Sequence, residues 1–339
     1  MKLIKTEDAV GHVLCHDMTQ IIKDQYKDAR FRKGHVVTEE DIPVLLSMGK
    51  EHLYVWEMTP GMVHENDAAE RLLALCGQEN MIRSGVKEGK IELKAACDGV
   101  FLVDSARLVA VNSQDEVMIA TRKGGMAVRE DDKLAGMRVI PLVIEEEKLR
   151  KAEQAAGDKP LLSLKPYVRK TACIVATGGE VKKGLIKDTF TPVVIDKLKT
   201  YGIETLEVVY SGDGVENVRD AVLAMREKKP DMILCTGGMS VDPDDNTPGG
   251  IKAAGANIIA YGAPVLPGAM FLLGYFDDGV PVMGLPGCVM YAGATVFDLV
   301  LPKIAADVPV TRADLAALGE GGLCLGCKPC HYPICPFGK

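Results

Sequence analysis

Two glycine pairs stand where the sequence could bind a phosphate. Thr177-Gly178-Gly179 and Thr236-Gly237-Gly238-Met239-Ser240 each end a short apolar run. Glycine lets backbone N–H groups approach an anion without a Cβ in the way, and the hydroxyls of Thr236 and Ser240 add donors. A glycine pair alone is common in strand-to-loop turns. Its repetition after two apolar runs favours a phosphate cradle.

Carboxylates follow the second glycine pair. Asp242, Asp244 and Asp245 precede Thr247, and Asp213 closes a further apolar run. Carboxylates beside a phosphate repel it unless a divalent cation lies between them, and Mg²⁺ is typically held by one or two carboxylates plus substrate phosphates. The alternative is a solvated acidic loop that caps a helix. Both interpretations stay open on the residues alone.

The elements that must position these residues have the pattern of a parallel sheet. Strands are predicted over 172–177, 204–210 and 231–236, with amphipathic helices over 191–202 and 215–229. This alternation implies right-handed crossovers and helices on both faces of the sheet. Ligands of such sheets bind beyond the carboxyl ends of the strands. Glu180, Asp188 and Asp213 are therefore candidates at the same edge as the glycine pairs.

The amino-terminal region has a different pattern, which predicts a smaller, β-rich α+β unit. Its short apolar runs, each predicted as a strand, lie at 52–58, 99–104, 107–112, 116–121 and 138–144. Helices are predicted over Glu39–Met48 and Asp67–Cys76, and a charged connecting helix over 145–160. The predicted organisation is an amino-terminal domain (1–150), a linker (151–166), an α/β domain (167–308), and a Gly-rich linker with a Cys-rich tail (309–339).

The carboxyl terminus concentrates thiols. Four of the ten cysteines lie in its last sixteen residues with the spacing C-x2-C-x2-C-x4-C: Cys324, Cys327, Cys330 and Cys335. Two-residue gaps let neighbouring sulfurs converge on one centre, so Zn²⁺ or an iron–sulfur cluster fits this pattern. A disulfide-prone or disordered tail is the alternative, but in a reduced compartment this density favours a metal. The other six cysteines are predicted to be packing residues.

Charge and length exclude several classes of protein. The chain has 339 residues, 40 basic and 47 acidic, with a net charge of -7. No overall field favours nucleic acid or an anionic membrane. The first 25 residues contain no uninterrupted apolar segment, and no stretch approaches the roughly 18 apolar residues that span a bilayer. We expect a cytoplasmic protein of about two domains that forms a homo-oligomer.

The motifs between about 165 and 305 resemble the molybdopterin-binding domain of molybdenum cofactor biosynthesis proteins. Thr177-Gly178-Gly179-Glu180 resembles the TGDE turn of molybdenum insertases, and Asp188 lies in a segment similar to I-x-D-S. Residues 236–241 resemble the insertase SGGVSV and the adenylyltransferase TGGTG, and 245–248 resemble D-V-T-P. Gly284-Leu285-Pro286-Gly287 resembles the insertase GLPGNP loop, here continued by Cys288-Val289. These matches imply a three-layer α/β sandwich with a mostly parallel sheet.

The resemblance also implies a site and a reaction. Molybdopterin or its adenylylated form would lie at the carboxyl edge, with Mg²⁺ and molybdate near the catalytic candidates Asp213, Asp242 and Asp245. An insertase places molybdenum on the dithiolene while cleaving the adenylylated pterin, which releases AMP. The substrate-binding candidates are Thr177, Gly178, Gly179, Glu180, Asp188, Thr236, Gly237, Gly238, Ser240, Thr247, Pro286 and Gly287.

Two other functions stay open. The first is a non-catalytic carrier or sensor that delivers the finished cofactor to a molybdoenzyme, since Asp242-Pro243 stands where insertases have Gly-Asp. The second is the nucleotide pyrophosphatase branch that shares the fold.

Overall fold

The computed structural model describes residues 2–22, 26–55, 60–240, 242 and 245–339; of Tyr26 and Glu180 it describes the backbone alone. The chain divides into two compact units. The first comprises Met1–Ala96, Val103–Gly124 and Asp131–Ser163, and the second comprises Cys97–Leu102, Gly125–Glu130 and Leu164–Lys339. In the described part of the chain, no helix has the length and apolarity needed to cross a bilayer.

The elements up to residue 166 are mostly short strands. In chain order they are β1 (Lys2–Lys5), β2 (Met18–Ile22), β3 (Tyr26–Phe31), α1 (Asp41–Ser47), β4 (His52–Val55), β5 (Met62–His64), α2 (Glu65–Leu75), β6 (Met81–Arg83), β7 (Ile91–Ala95), β8 (Gly99–Val103), α3 (Ser105–Asn112), β9 (Val117–Thr121), β10 (Met126–Val128), β11 (Lys133–Val139), β12 (Val143–Glu145), α4 (Glu146–Ala156) and β13 (Leu162–Pro166). Four of them form the antiparallel sheet β6-β7-β11-β9. The predicted β-rich α+β character is confirmed.

The predicted strand over 138–144 is split between β11 and β12, which belong to different sheets. The predicted strand over 107–112 is wrong. These residues belong to helix α3, which begins after Asp104, whose side chain accepts a hydrogen bond from the Arg107 amide (3.1 Å). The Arg107 guanidinium also donates to the carbonyl of Ala156 (2.6 Å). Within α3, only Val111 is buried, and Val109 is 65% exposed. The run therefore does not supply the alternating buried face that a strand of a sheet would have. The N-cap overrides the β-branched composition of the run.

The second unit contains the remaining elements. They are β14 (Thr171–Thr177), α5 (Gly179–Lys182), α6 (Phe190–Lys199), β15 (Glu204–Ser211), α7 (Val215–Glu227), β16 (Met232–Thr236), α8 (Thr247–Ala253), β17 (Asn257–Tyr261), β18 (Leu272–Tyr275), β19 (Pro281–Leu285), α9 (Val296–Ala305) and α10 (Arg312–Ala317). The predicted strands and helices between 172 and 236 are all present, with their ends shifted by up to three residues. The cause of this agreement is the clear change from strand to helix periodicity.

The sheet of the second unit has six strands in the order β15-β14-β16-β19-β18-β17. The first four are parallel to one another, β18 is antiparallel to its neighbour β19, and β17 is antiparallel to β18. Alternate residues of β14 enter two different cores. Ala172 and Ile174 pack with α6 and α9, while Cys173 and Val175 pack with α7 and α8. A sheet covered by helices on both faces is a three-layer α/β sandwich, as predicted.

Candidate functional site

The carboxyl ends of the parallel strands bring the predicted site together. Thr177 is paired with Ser211 across β14 and β15, and Ala176 is paired with Thr236 across β14 and β16. Thr236 is in turn paired with Leu285 of β19. The segments after Thr177, Ser211, Thr236 and Leu285 therefore leave the sheet at the same edge. This is the edge at which open α/β sheets bind ligands.

The second glycine pair makes a turn that only glycine tolerates. Gly237 and Gly238 have φ values of 82° and 56°, in the left-handed region that side chains disfavour. A Cβ on Gly237 would lie 2.3 Å from the backbone oxygen of Thr177, and one on Gly238 would lie 2.6 Å from Oγ1 of Thr247. The backbone of the turn thus packs directly against the backbone at the end of β14.

Buried hydroxyls fix this turn. Oγ1 of Thr177 donates to the Thr236 carbonyl (2.9 Å), and Oγ1 of Thr247 donates to the Gly237 carbonyl (2.9 Å). The two hydroxyl oxygens are 3.1 Å apart, and both side chains are buried. Since each hydroxyl has a single hydrogen, these donors are used inside the protein. Thr177 and Thr247 therefore stabilise the conformation of the glycine turn, and their hydroxyl hydrogens are not available to a ligand.

The first glycine pair is held by a carboxylate. The Gly178 amide donates to the Ser211 carbonyl (3.3 Å), and the Gly179 amide donates to Oδ2 of Asp213 (3.0 Å). A Cβ on Gly179 would lie 2.8 Å from the same oxygen. Asp213 therefore ties the turn after β14 to the turn after β15.

The acidic loop after β16 has a similar contact. Oδ2 of Asp245 accepts a hydrogen bond from the exposed Ser240 amide (2.8 Å), and the Asp245 amide donates to the Asp242 carbonyl (2.9 Å). Asp242 is exposed. Asp244 lies outside the described residues. Two carboxylates at this edge, Asp213 and Asp245, thus accept hydrogen bonds from backbone amides of the glycine turns.

The acidic residues do not form a ready cation site. In the described ranges, no group of three or more His, Cys, Asp or Glu side chains is placed so that it could hold a metal ion. The predicted Mg²⁺ ligands Asp213, Asp242 and Asp245 are included in that search. The carboxylates of Asp213 and Asp245 accept hydrogen bonds from backbone amides instead.

Asp188 stabilises the start of a helix. Its Oδ1 accepts hydrogen bonds from the amides of Phe190 (2.9 Å) and Thr191 (3.0 Å), at the beginning of α6. Burial raises the pKa of the Asp188 carboxyl, but the hydrogen bonds from Thr191 and Phe190 outweigh burial and lower it overall. The Glu180 side chain lies outside the described part of the chain. Asp188 thus has a capping contact and a stabilised charge.

The fourth loop of the edge follows β19. Pro286 is buried, and Gly287 is exposed at the start of a one-turn 3-10 helix over Gly287–Met290. The Val289 amide donates to the Pro286 carbonyl (3.0 Å). Burial raises the pKa of the Cys288 thiol that follows, which keeps this thiol protonated and less reactive at neutral pH.

Two residues at the edge are missed by the sequence analysis. The Lys182 side chain crosses Gly212, with Nζ 3.8 Å from the position that a Cβ would take there. The Tyr261 hydroxyl donates to the Met239 carbonyl (3.0 Å) and so holds the turn after β16. The proximity of Lys182 to the first glycine pair in the sequence is a signal that could have identified it. Tyr261 reaches the site from a distant strand and carries no such signal.

The tail residues lie elsewhere in the second unit. Cys324, Cys327, Cys330 and Cys335 line a cavity of about 350 Å³ together with residues 291–294. All four are free thiols, and Cys327 and Cys330 are exposed. The tail is folded onto the unit: Phe337 is 2% exposed and belongs to its core.

Family models match two parts of the chain. Residues 173–306, which include both glycine pairs and the loop after β19, match the family described as "Probable molybdopterin binding domain". This stretch of the chain is therefore similar to molybdopterin-binding domains. Residues 3–57 match a family described as a domain of unknown function, DUF8806. The molybdopterin-binding domain ends before the cysteine tail begins.

Curated relatives match a shorter stretch of the chain. A CinA-like protein of Mycobacterium tuberculosis (strain ATCC 25177 / H37Ra) is 33% identical over 76 residues, which are 22% of this chain and 18% of the relative. A CinA-like protein of Petrotoga mobilis is 32% identical over 76 residues, 22% of this chain and 19% of the relative. The chain therefore spans less than a fifth of the length of these relatives.

Solved structures of similar domains include the Mog protein of molybdopterin biosynthesis from Mycobacterium ulcerans. It has 20% identity and a TM-score of 0.35, covering 41% of this chain and 97% of its own. The protein CinA from Thermoplasma acidophilum has 18% identity and a TM-score of 0.34, covering 40% of this chain and 98% of its own.

Proposed function

We propose that the second unit binds molybdopterin, or its adenylylated form, and acts in the synthesis or handling of the molybdenum cofactor. The observation that carries the proposal is the glycine-only turn at Gly237 and Gly238, held against Thr177 and Thr247 at the carboxyl edge of the sheet. It lies inside the region that matches the molybdopterin-binding family. Backbone amides in such turns are suited to a phosphate.

A cationic side chain near the turns, Lys182, supports an anionic ligand in this proposal. Lys182 lies over Gly212 and can pair with the pterin phosphate. The amides of Gly179 and Ser240 donate to Asp213 and Asp245, so a phosphate that reached these amides would displace the carboxylates. Molybdate, as the second substrate or as part of the bound cofactor, would lie on the dithiolene side of the same ligand.

Of the two activities compatible with binding, insertion with AMP release and cofactor carriage, the loop after β16 favours carriage, because Asp242-Pro243 stands where insertases have Gly-Asp. Among the described residues, no three His, Cys, Asp or Glu side chains form a group that could hold a metal ion, so Mg²⁺ for insertion would be held by one or two carboxylates together with the substrate phosphates. A carrier would need a molybdoenzyme as its partner. An insertase would need its adenylylated pterin, molybdate and Mg²⁺.

Pterin retention by the full-length protein tests the binding proposal. Gly237→Ala should lose retention, and Lys182→Ala should weaken it about tenfold because a charge-assisted hydrogen bond is lost. Gly85→Ala is the matched control, since a Cβ there meets no atom within 4 Å. Folding of each variant is checked by circular dichroism. A folded wild-type protein that retains no molybdopterin would refute the proposal.

Product analysis separates the two activities. The protein is incubated with adenylylated molybdopterin, molybdate and Mg²⁺, and AMP is measured. AMP release that Asp245→Ala abolishes, with pterin retention intact, establishes insertion and a catalytic role for Asp245. Tight retention without AMP establishes carriage. A dinucleotide without pterin, offered in parallel, tests the nucleotide pyrophosphatase alternative by the same AMP readout.

The assembly proposed for this unit is a homo-oligomer. Its sheet ends in the edge strand β15, on which Leu206 and Tyr210 are exposed, and exposed edge strands are usually covered. Light scattering should give a mass above that of one chain. A monomer at micromolar concentration would contradict this part of the proposal.

A further inference from the structure

The cysteine tail forms a cavity that the pterin proposal does not use. The cavity of about 350 Å³ is lined by all four tail cysteines, by His331 and by Gly293. The tail lies outside residues 173–306, where the family model matches. The four thiols therefore line a single cavity outside the matched domain, and pterin binding does not account for them.

We propose that Cys324, Cys327, Cys330 and Cys335 hold a metal centre in this cavity, either a tetrahedral Zn²⁺ or an iron–sulfur cluster. Both are bound by four thiolates, and two-residue spacings bring adjacent sulfurs to one centre. Lys328 also lines the cavity. Its ammonium group can offset part of the negative charge that four thiolates bring to either centre.

The tail is attached at both sides of its thiols. The Cys324 amide donates to the Leu266 carbonyl (2.8 Å). Beyond the thiols, Phe337 is buried in the core of the second unit, and the Gly338 amide donates to the Gly321 carbonyl (2.9 Å). A third attachment is the Tyr332 hydroxyl, which donates to the Asp298 carbonyl (3.0 Å). The ends are fixed, so the thiols are held near one another.

Binding requires the segment between the attachments to close. As the described residues are placed, no three thiols converge on one point, whereas Zn–S bonds of about 2.3 Å need sulfurs within about 4 Å of one another. Cys327 and Cys330 are exposed. Gly326 between Cys324 and Cys327 has a φ of 67°, and a Cβ there would meet nothing within 4 Å. This part of the tail has room to move onto an ion.

One wall of the cavity is the loop after β19. A Cβ on Gly293 would lie 2.8 Å from both Cβ and Sγ of Cys330, so Cys330 rests on the Gly293 backbone. A larger residue at 293 would push Cys330 outward. The absence of a side chain at Gly293 therefore allows Cys330 to occupy its place in the cavity wall.

Metal analysis of full-length protein purified without oxygen tests the inference. We expect about one zinc per chain, or iron with matching acid-labile sulfide and visible absorbance; the two outcomes distinguish the centres. Cys327→Ser should lower the metal content at least threefold, because an exposed ligand is lost without a folding defect. Cys97→Ser, which changes a thiol outside the tail, is the control and should keep the wild-type content.

A second variant tests the cavity itself. Gly293→Ala should reduce metal retention against a chelator, while Gly85→Ala should not. Metal-free protein with four reduced tail thiols, or disulfides between them, would overturn the inference, as would a metal content that Cys327→Ser leaves unchanged. None of these readouts involves pterin, so failure here is distinct from failure of the proposed function.

Discussion

The glycine turns and the cysteine tail are both candidate sites of the second unit, but they are positioned by different means. The turns follow strands whose register is fixed by the sheet. The buried hydroxyls of Thr177 and Thr247 lock the turn at Gly237, and the Asp213 carboxylate holds the turn at Gly179. The tail has no strand of its own and depends on a few attachments, of which Phe337 is the largest. The first site is therefore a property of the fold, whereas the second is an addition held by separate contacts.

The largest expected change in stability comes from Phe337, and it tests whether the tail contributes to the core of the second unit. Phe337→Ala should lower the free energy of unfolding by about 3–5 kcal/mol, since it empties a fully buried aromatic position. Urea unfolding measures it. Ile334→Ala, three residues earlier and 86% exposed, should change stability by less than about 0.5 kcal/mol. Equal effects of the two substitutions would show that Phe337 does not anchor the tail.

The glycine turn provides the next largest effect. Gly237→Ala forces a side chain into a left-handed conformation and against the Thr177 carbonyl, which should cost about 2–3 kcal/mol. Thermal and urea unfolding measure this cost. Gly85→Ala, at an open position with no positive φ, should be close to neutral. A neutral Gly237→Ala would mean that the turn is more adaptable than the locked geometry implies.

The same contrast explains how far the sequence predicts the structure. Periodicity identified the strands and helices between 172 and 236, and with them the edge that carries Gly237 and Asp213, because the pattern and the topology agree. It could not predict that Asp213 and Asp245 accept hydrogen bonds from glycine-turn amides, since those contacts join separate loops. Nor could it predict that Phe337 enters the core, or that Arg107 and Asp104 convert a β-like run into helix α3.

A smaller effect should come from the hydroxyl beneath the turn. Thr247→Val removes the donor to the Gly237 carbonyl and should cost about 1–2 kcal/mol, because a partly buried acceptor loses its partner. Thr205→Val is a matched control, since its Oγ1 is buried and has no hydrogen-bond partner among the described residues. That control should be neutral or stabilising in urea unfolding. If both substitutions cost the same, the hydroxyl contact does not lock the turn.

The smallest effect depends on pH and concerns Asp188 at the same edge. Burial opposes the charge of Asp188, but hydrogen bonds from Thr191 and Phe190 outweigh it, so its pKa is lower in the folded protein than in the unfolded chain. A depressed carboxyl pKa contributes stability above the unfolded value of about 3.9, and this contribution is lost as the pH falls through the folded value. Asp188→Asn should therefore cost about 0.5–1 kcal/mol at pH 7, where the charge at the start of α6 is lost.

The sign of that pH dependence is the decisive measurement. In urea unfolding, the gap between wild type and Asp188→Asn should be full at pH 7 and should narrow below about pH 4, where the wild-type carboxyl takes up a proton. Asp196→Asn, on the exposed face of the same helix, should show a smaller gap, because Asp196 accepts no hydrogen bonds from the first amides of α6. If the stability difference between wild type and Asp188→Asn instead widened on acidification, the charge of Asp188 would destabilise the folded protein. Its role would then be to contact a ligand and not to stabilise the start of α6.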